Sequence, residues 1–114
     1  MKKKHTIFLK TGRGELTKIR IENIIYLKAD GNYTHIKCCN PERKFIICKN
    51  LKNTIALVDS DQLMRIHRSM VVNLNYIKVL KTGKTPLVIL KNDEKIKISR
   101  KVQDKIKQNF IHTE

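Results

Sequence analysis

Tryptophan is absent from this chain, and the remaining aromatic residues are few: three Tyr and three Phe in 114 residues. A base-stacking platform for single-stranded nucleic acid needs two or three exposed aromatics on neighbouring strands. Most of Phe8, Tyr26, Tyr33, Phe45, Tyr76 and Phe110 sit where a core would claim them, and Tyr33, beside a turn, is the readiest exception. Four Gly and two Pro leave no linker, low-complexity segment or internal repeat. The catalytic patterns G-x-S-x-G and H-E-x-x-H are missing, as is a phosphate-binding Gly loop. No apolar run approaches the ~20 residues that a membrane span requires.

Cysteine is also scarce. Cys38, Cys39 and Cys48 form no C-x-x-C pair. Adjacent cysteines on a strand face opposite ways, so Cys38 and Cys39 do not easily hold one ion with Cys48 and His35. We expect one buried and one half-exposed thiol there, and neither metal nor cofactor. The opening Met-Lys-Lys-Lys-His is followed only by Ile7-Phe8-Leu9, too short for the apolar part of a signal peptide. A reducing cytoplasm fits best, with the chain either a stand-alone module or part of a longer regulator. His67 has only Asp59 and Asp61 as nearby carboxylates in sequence. We therefore expect no enzyme.

The most informative shortage is of acid. Ten Asp and Glu face 25 Lys and Arg, a formal charge of +15. No acidic residue occurs from Gln62 to Asn92, where Arg65, Arg68, Lys78, Lys81, Lys84 and Lys91 do. A second basic run from Lys95 to Lys107 is broken only by Asp104. Such an imbalance points to a polyanion, nucleic acid before an anionic membrane.

What is present reads as strands. Apolar residues make up 40%, enough for one modest core. Strands are predicted at 5–11 and, weakly, 15–20, then at 24–29 and 33–39 across an Asp30-Gly31-Asn32 turn. Another follows over 44–48, with Phe45 and Ile47 on one face. Asn50 is a helix N-cap ahead of Leu51, Ile55 and Val58 at i, i+4 and i+7. Strands at 76–80, 87–90 and 95–98 come next, and Ser99 caps a last helix with Val102, Ile106 and Phe110 in one stripe. The prediction is a mainly β chain: an elongated antiparallel β-sheet sandwich with two short helices, one domain over 1–114 with its core at about 6–110.

One stretch stands out. His67-Arg68-Ser69 places three polar groups between the apolar runs around Leu63–Ile66 and Met70–Val72. A strand, a short turn and a second strand give that pattern. Packing explains the flanks but not the tip. Neither helix suits groove recognition, since no helix-turn-helix pair is visible. Reading duplex DNA therefore falls to tips: Asp30 to Thr34, His67-Arg68-Ser69, and Ser99-Arg100-Lys101 at a helix start. Arg68 and Arg100 each have the fork that chelates guanine's acceptor pair. Ser69, Ser99 and helix-start N–H groups suit phosphates.

Ile25-Tyr26-Leu27-Lys28-Ala29-Asp30-Gly31-Asn32-Tyr33 closely resembles the first signature of LytTR DNA-binding domains. The run from Arg65 to Ile77 resembles the second, F-x-R-x-H-R-S-x-x-V-N, with Met64 where an aromatic is usual. Ile96-Lys97-Ile98-Ser99-Arg100 resembles the third. The resemblance covers about Thr6 to Phe110. It implies packed antiparallel sheets, loops inserted in successive major grooves at paired promoter repeats, and response regulators with a receiver domain, which is not seen in this chain. It implies base contacts from Asn32, Tyr33, Thr34, Arg68 and Arg100. Backbone contacts are then expected from His67, Ser69, Ser99, Lys101 and Lys78, and Asn73 is expected to hold backbone. The expected partner is double-stranded DNA, bound as a cooperative dimer and with no membrane. An RNA-binding β module is the alternative.

Overall fold

The computed structural model describes residues 5–108. Their contacts divide the chain into two compact units, parting between Leu74 and Asn75. Among the described residues no helix is long and apolar enough to cross a membrane.

The first unit contains β1 (Thr6–Gly12), β2 (Glu15–Arg20), β3 (Ile24–Asp30), β4 (Tyr33–Cys38), β5 (Arg43–Ile47), α1 (Leu51–Val58), β6 (Leu63–His67) and β7 (Met70–Asn73). β3 to β7 form one antiparallel sheet in the order β5-β4-β3-β7-β6, and β1 and β2 form a separate two-stranded sheet. β3, β4 and β5 thus follow one another as a meander, while the first two strands lie outside that sheet.

Alternation along β3 decides what is buried. Leu27 is fully buried and sits in register with Ile36 on β4 and Val71 on β7. Phe45 continues that row on β5 and Arg65 on β6. The row is therefore apolar until its last member, on an edge strand, where a charged residue replaces an aliphatic one. Ile19, Ile21, Ile24, Cys38, Leu51 and Val58 complete the buried cluster, with Ile7 and Leu9 packed against it. Each fully buried aliphatic side chain contributes about 1.5–3 kcal/mol. On the exposed faces of β1 and β2, Phe8 and Leu16 are left in solvent.

Local signals at the ends of elements hold. Asn50 Oδ1 accepts the Asn53 N–H at 2.8 Å and caps α1. Asp59 closes it in the left-handed region, its N–H bonded to the Ile55 carbonyl. Ile21–Asn23 forms a single 3-10 turn between β2 and β3. Buried Asn73 spans from β7 to that turn, donating Nδ2–H to the Ile24 carbonyl at 2.9 Å and, more weakly, to Ile21 at 3.5 Å. The backbone that these two bonds hold is about fifty residues away in sequence.

The second unit contains β8 (Ile77–Lys81), β9 (Leu87–Leu90), β10 (Lys95–Lys97) and α2 (Arg100–Lys107), with sheet order β10-β9-β8. Tyr76, predicted to open β8, lies in a 3-10 turn instead. Val88, Leu90 and Ile98 are buried. Gln103 on α2 is buried as well, and its Oε1 accepts the Gly83 N–H at 3.1 Å, tying the helix to the loop before β9. Ser99 Oγ accepts the Val102 N–H at 3.1 Å, as a helix N-cap should. The predicted stripe on α2 includes Phe110, which lies outside the described residues.

Candidate nucleic-acid interface

In the first unit, two tips emerge at one end of the five-stranded sheet. The first is the β3–β4 hairpin. Asp30 and Tyr33 are its last paired residues, leaving a two-residue loop of Gly31 and Asn32. Gly31 carries φ of +59°, a conformation in which a Cβ is strained. Asn32 is exposed, and Tyr33 is 48% exposed. The Asp30 carboxylate beside the loop is engaged by His35 Nε2 at 2.8 Å. The second tip is the turn between β6 and β7. The Ala29 N–H donates to the Ser69 carbonyl at 2.8 Å, which fastens this turn to the end of β3.

The second tip is built with unusual completeness. β6 bulges between Arg65 and His67, so that Arg65 opposes Val71 while His67 opposes Met70. The extra residue, Ile66, is buried. Arg65 then reaches along the turn. Its Nε–H donates to the His67 carbonyl at 3.4 Å, and its Nη2–H donates to the Arg68 carbonyl. With Ala29 on Ser69, all three carbonyls of His67-Arg68-Ser69 are taken by donors of the protein itself. His67 Nδ1 receives the Ser69 N–H at 3.2 Å and lies 2.8 Å from Ser69 Oγ. An acceptor Nδ1 places the ring proton on Nε2, a donor left for an outside oxygen. Arg68 is exposed, and its guanidinium has no partner among the described residues.

In the second unit, Arg100 and Lys101 are exposed in the first turn of α2. The first N–H groups of a helix have no intrahelical acceptor, and the helix dipole is positive there. No acidic residue stands in that turn.

Three sequence expectations meet the coordinates differently. Thr34 is a correction: it is fully buried, its hydroxyl donates to the Lys49 carbonyl at 2.8 Å, and it receives the Thr54 hydroxyl at 3.1 Å. Such a side chain is not available to a base. Lys78 is not a free cation, because its Nζ lies 2.6 Å from Asp93 Oδ1. That hydrogen bond and the lysine's charge hold the Asp93 carboxyl below its ordinary value. Ser99 keeps its proton for an outside acceptor, but its oxygen is committed to the cap.

Arg65 is the residue that sequence reasoning missed. It lay inside a recognised motif, yet nothing local shows that its head turns back on the turn's carbonyls. Among the described residues Tyr33 gains no aromatic neighbour on its face of β4, where His35 and Lys37 follow it. Tyr26 on the adjoining strand is half-buried, with the Lys37 ammonium 5.6 Å from its ring centre.

The thiols spread as their positions dictate. Cys38 is buried, Cys39 half-buried and Cys48 exposed. Desolvation pushes the Cys38 thiol up to about 11. No cluster of His, Cys, Asp and Glu suited to a metal ion occurs among the described residues.

Comparison with known proteins agrees with this architecture. A solved structure, named as the LytTr DNA-binding domain of a methyl-accepting/DNA response regulator from Bacillus cereus, superposes with a TM-score of 0.70. It covers 94% of this chain and 99% of its own, at 24% identity, which establishes the fold. An uncharacterized response regulatory protein of Vibrio cholerae is 29% identical over 80 residues, 68% of this chain. The aligned part is 31% of that relative's length, so the chain matches under a third of it. The family model for the LytTr DNA-binding domain matches residues 14–111, and the chain belongs to that family.

Proposed function

We propose that this chain is the DNA-reading module of a two-component transcription regulator. It binds duplex DNA sequence-specifically, with tips seated in the major groove at paired promoter repeats. Arg68 and Arg100 contact bases, and the exposed Asn32 and Tyr33 of the β3–β4 hairpin assist. His67, Ser69, Ser99 and Lys101 contact the phosphate backbone. Two copies occupy adjacent repeats cooperatively, and a receiver domain of the kind found in response regulators controls them.

The observation that carries the reading is the β6–β7 tip. Its three carbonyls are turned back onto the protein's own donors, while the Arg68 guanidinium has no partner among the described residues. A tip that hides its electronegative atoms and presents a bidentate cation suits an anionic groove lined with guanine acceptors. A chain of +15 supplies the sequence-independent attraction.

The test is selection of bound duplexes from a random-sequence pool at ~150 mM salt, where weak charge contacts are screened. The expected result is a defined motif repeated at about one helical turn or a multiple of it. An unenriched pool would overturn the base-reading roles of Arg68 and Arg100.

A further inference from the structure

Arg65 belongs to the same motif as Arg68, yet its chemistry is different. It ends a core row of the sheet on edge strand β6, opposite Val71. Its guanidinium is directed at the main chain of the recognition turn and not at a carboxylate, with bonds to the carbonyls of His67 and Arg68. A planar fork reaching two carbonyls fixes the orientation of both peptide planes, which a lysine's single ammonium does less well. The bulge at Ile66 is what brings the turn within reach.

We infer that Arg65 is a positioning residue for DNA recognition: it aims Arg68 at its base by clamping the turn's carbonyls, without itself reading DNA. The inference rests on the reading of Arg68 as a base contact. Without the clamp, the carbonyls of His67 and Arg68 are free to rotate outward. They would then place partial negative charge against the phosphates and release the peptide that sets the Arg68 Cα–Cβ direction. Ala29 would still hold the Ser69 carbonyl, so the hairpin survives while the tip loses its aim.

The experiment measures binding of the whole chain to the selected duplex and to single base-pair variants of it, over a salt series. Parent, Arg65→Ala, Arg65→Lys, Arg68→Ala and the Arg65→Ala/Arg68→Ala double variant are compared. Arg65 is exposed, and thermal unfolding of each variant checks that the fold is kept. Arg65→Ala should lose roughly ten-fold discrimination at the same base pair as Arg68→Ala. The double variant should discriminate no worse than Arg68→Ala alone, and Arg65→Lys should fail to restore the loss. The salt dependence should keep its slope.

If Arg65→Ala instead keeps its discrimination and loses about one unit of salt slope, Arg65 is a phosphate contact and the inference is overturned. Unchanged binding by Arg65→Ala, or losses that multiply in the double variant, overturns it too. A third result, full discrimination by Arg68→Ala, removes the Arg68 reading and this inference with it. That result is distinguishable because it appears in the variant that leaves Arg65 intact.

Discussion

The Thr54 hydroxyl on α1 lies 3.1 Å from the Thr34 hydroxyl on β4, and both side chains are buried. Thr34 spends its own proton on the Lys49 carbonyl, so it meets Thr54 as an acceptor. Thr54 has one proton to divide between Thr34 and the Asn50 carbonyl at 2.8 Å. The pair stitches the helix to the strand that carries the first tip. Thr34→Val keeps the shape but leaves the Lys49 carbonyl without its donor, while Thr54 gives its proton to the Asn50 carbonyl alone. We expect it to cost about 1–2 kcal/mol in urea unfolding. Discrimination among duplexes should be unchanged, because the side chain is inside. A selective loss at one base pair with unaltered stability would restore Thr34 to the surface.

Asn73 sets a harder constraint. Its amide supplies the Ile24 carbonyl from inside the first unit. Asn73→Ala removes that donor and opens a small void, and about 2–3 kcal/mol should be lost in chemical denaturation. Asn73→Asp should be worse at neutral pH, since a carboxylate cannot donate and its charge would be buried against carbonyl oxygens. Burial raises the folded pKa of such an acid, so the folded state holds its proton where the unfolded state has released it. Stability of the Asp variant should therefore fall as pH rises above about 4. A flat stability–pH profile for Asn73→Asp relative to the parent would contradict this.

Much of this architecture was readable from periodicity and caps. The β3–β4 hairpin, Asn50 before α1 and Ser99 before α2 depend on near neighbours, and near neighbours are what a sequence displays. Thr34 shows a signal that was present but unused: Thr34, Ile36 and Cys38 alternate along β4, and all three are buried. The neighbour relation of β3 and β7 was not readable, because their pairing depends on which long-range ladder closes. The same limit hid the Arg65 clamp and the Lys78–Asp93 pair. Both require a register across a bulge or a hairpin before the side chains can meet.

The two arginines at the tips should behave alike although they stand on different elements. Arg68→Ala and Arg100→Ala should each cost on the order of 1–3 kcal/mol in binding and relax selection at a single base pair. Competition binding with systematically substituted duplexes reads both quantities. Equal affinity and selectivity in either variant would withdraw that residue from the base contacts.

Thiol reactivity offers a check independent of DNA. Cys48 is exposed, while Cys38 is buried with its pKa at about 11. At pH ~8 only about a thousandth of Cys38 would be thiolate, even before burial limits access. A soluble alkylating reagent followed by peptide mass mapping should modify Cys48 first, Cys39 more slowly and Cys38 only on unfolding. Early modification of Cys38 in folded protein would mean that the β3–β4–β5 face opens readily.

Lys78 and Lys101 separate a spent charge from an available one. The Lys78 ammonium is 2.6 Å from Asp93, and the depressed Asp93 pKa keeps that carboxylate ionised at any pH above its ordinary value of 3.8. A group with a depressed folded pKa gives its stabilisation above the unfolded pKa and loses it as pH falls through the folded one. The Asp93 charge is therefore present beside Lys78 under all conditions in which DNA binding would be measured. Lys78 then approaches a phosphate as half of a neutral pair and displaces little counterion. Lys101, exposed beside the N-terminus of α2, has no such partner among the described residues. If about six phosphates are neutralised, log K should fall against log salt with a slope near about −5. Lys101→Ala should bring that slope about one unit closer to zero, whereas Lys78→Ala should leave it in place. A full unit lost in Lys78→Ala would show that DNA takes this lysine from Asp93 on binding. Asp93→Asn would then tighten the complex by sparing that exchange.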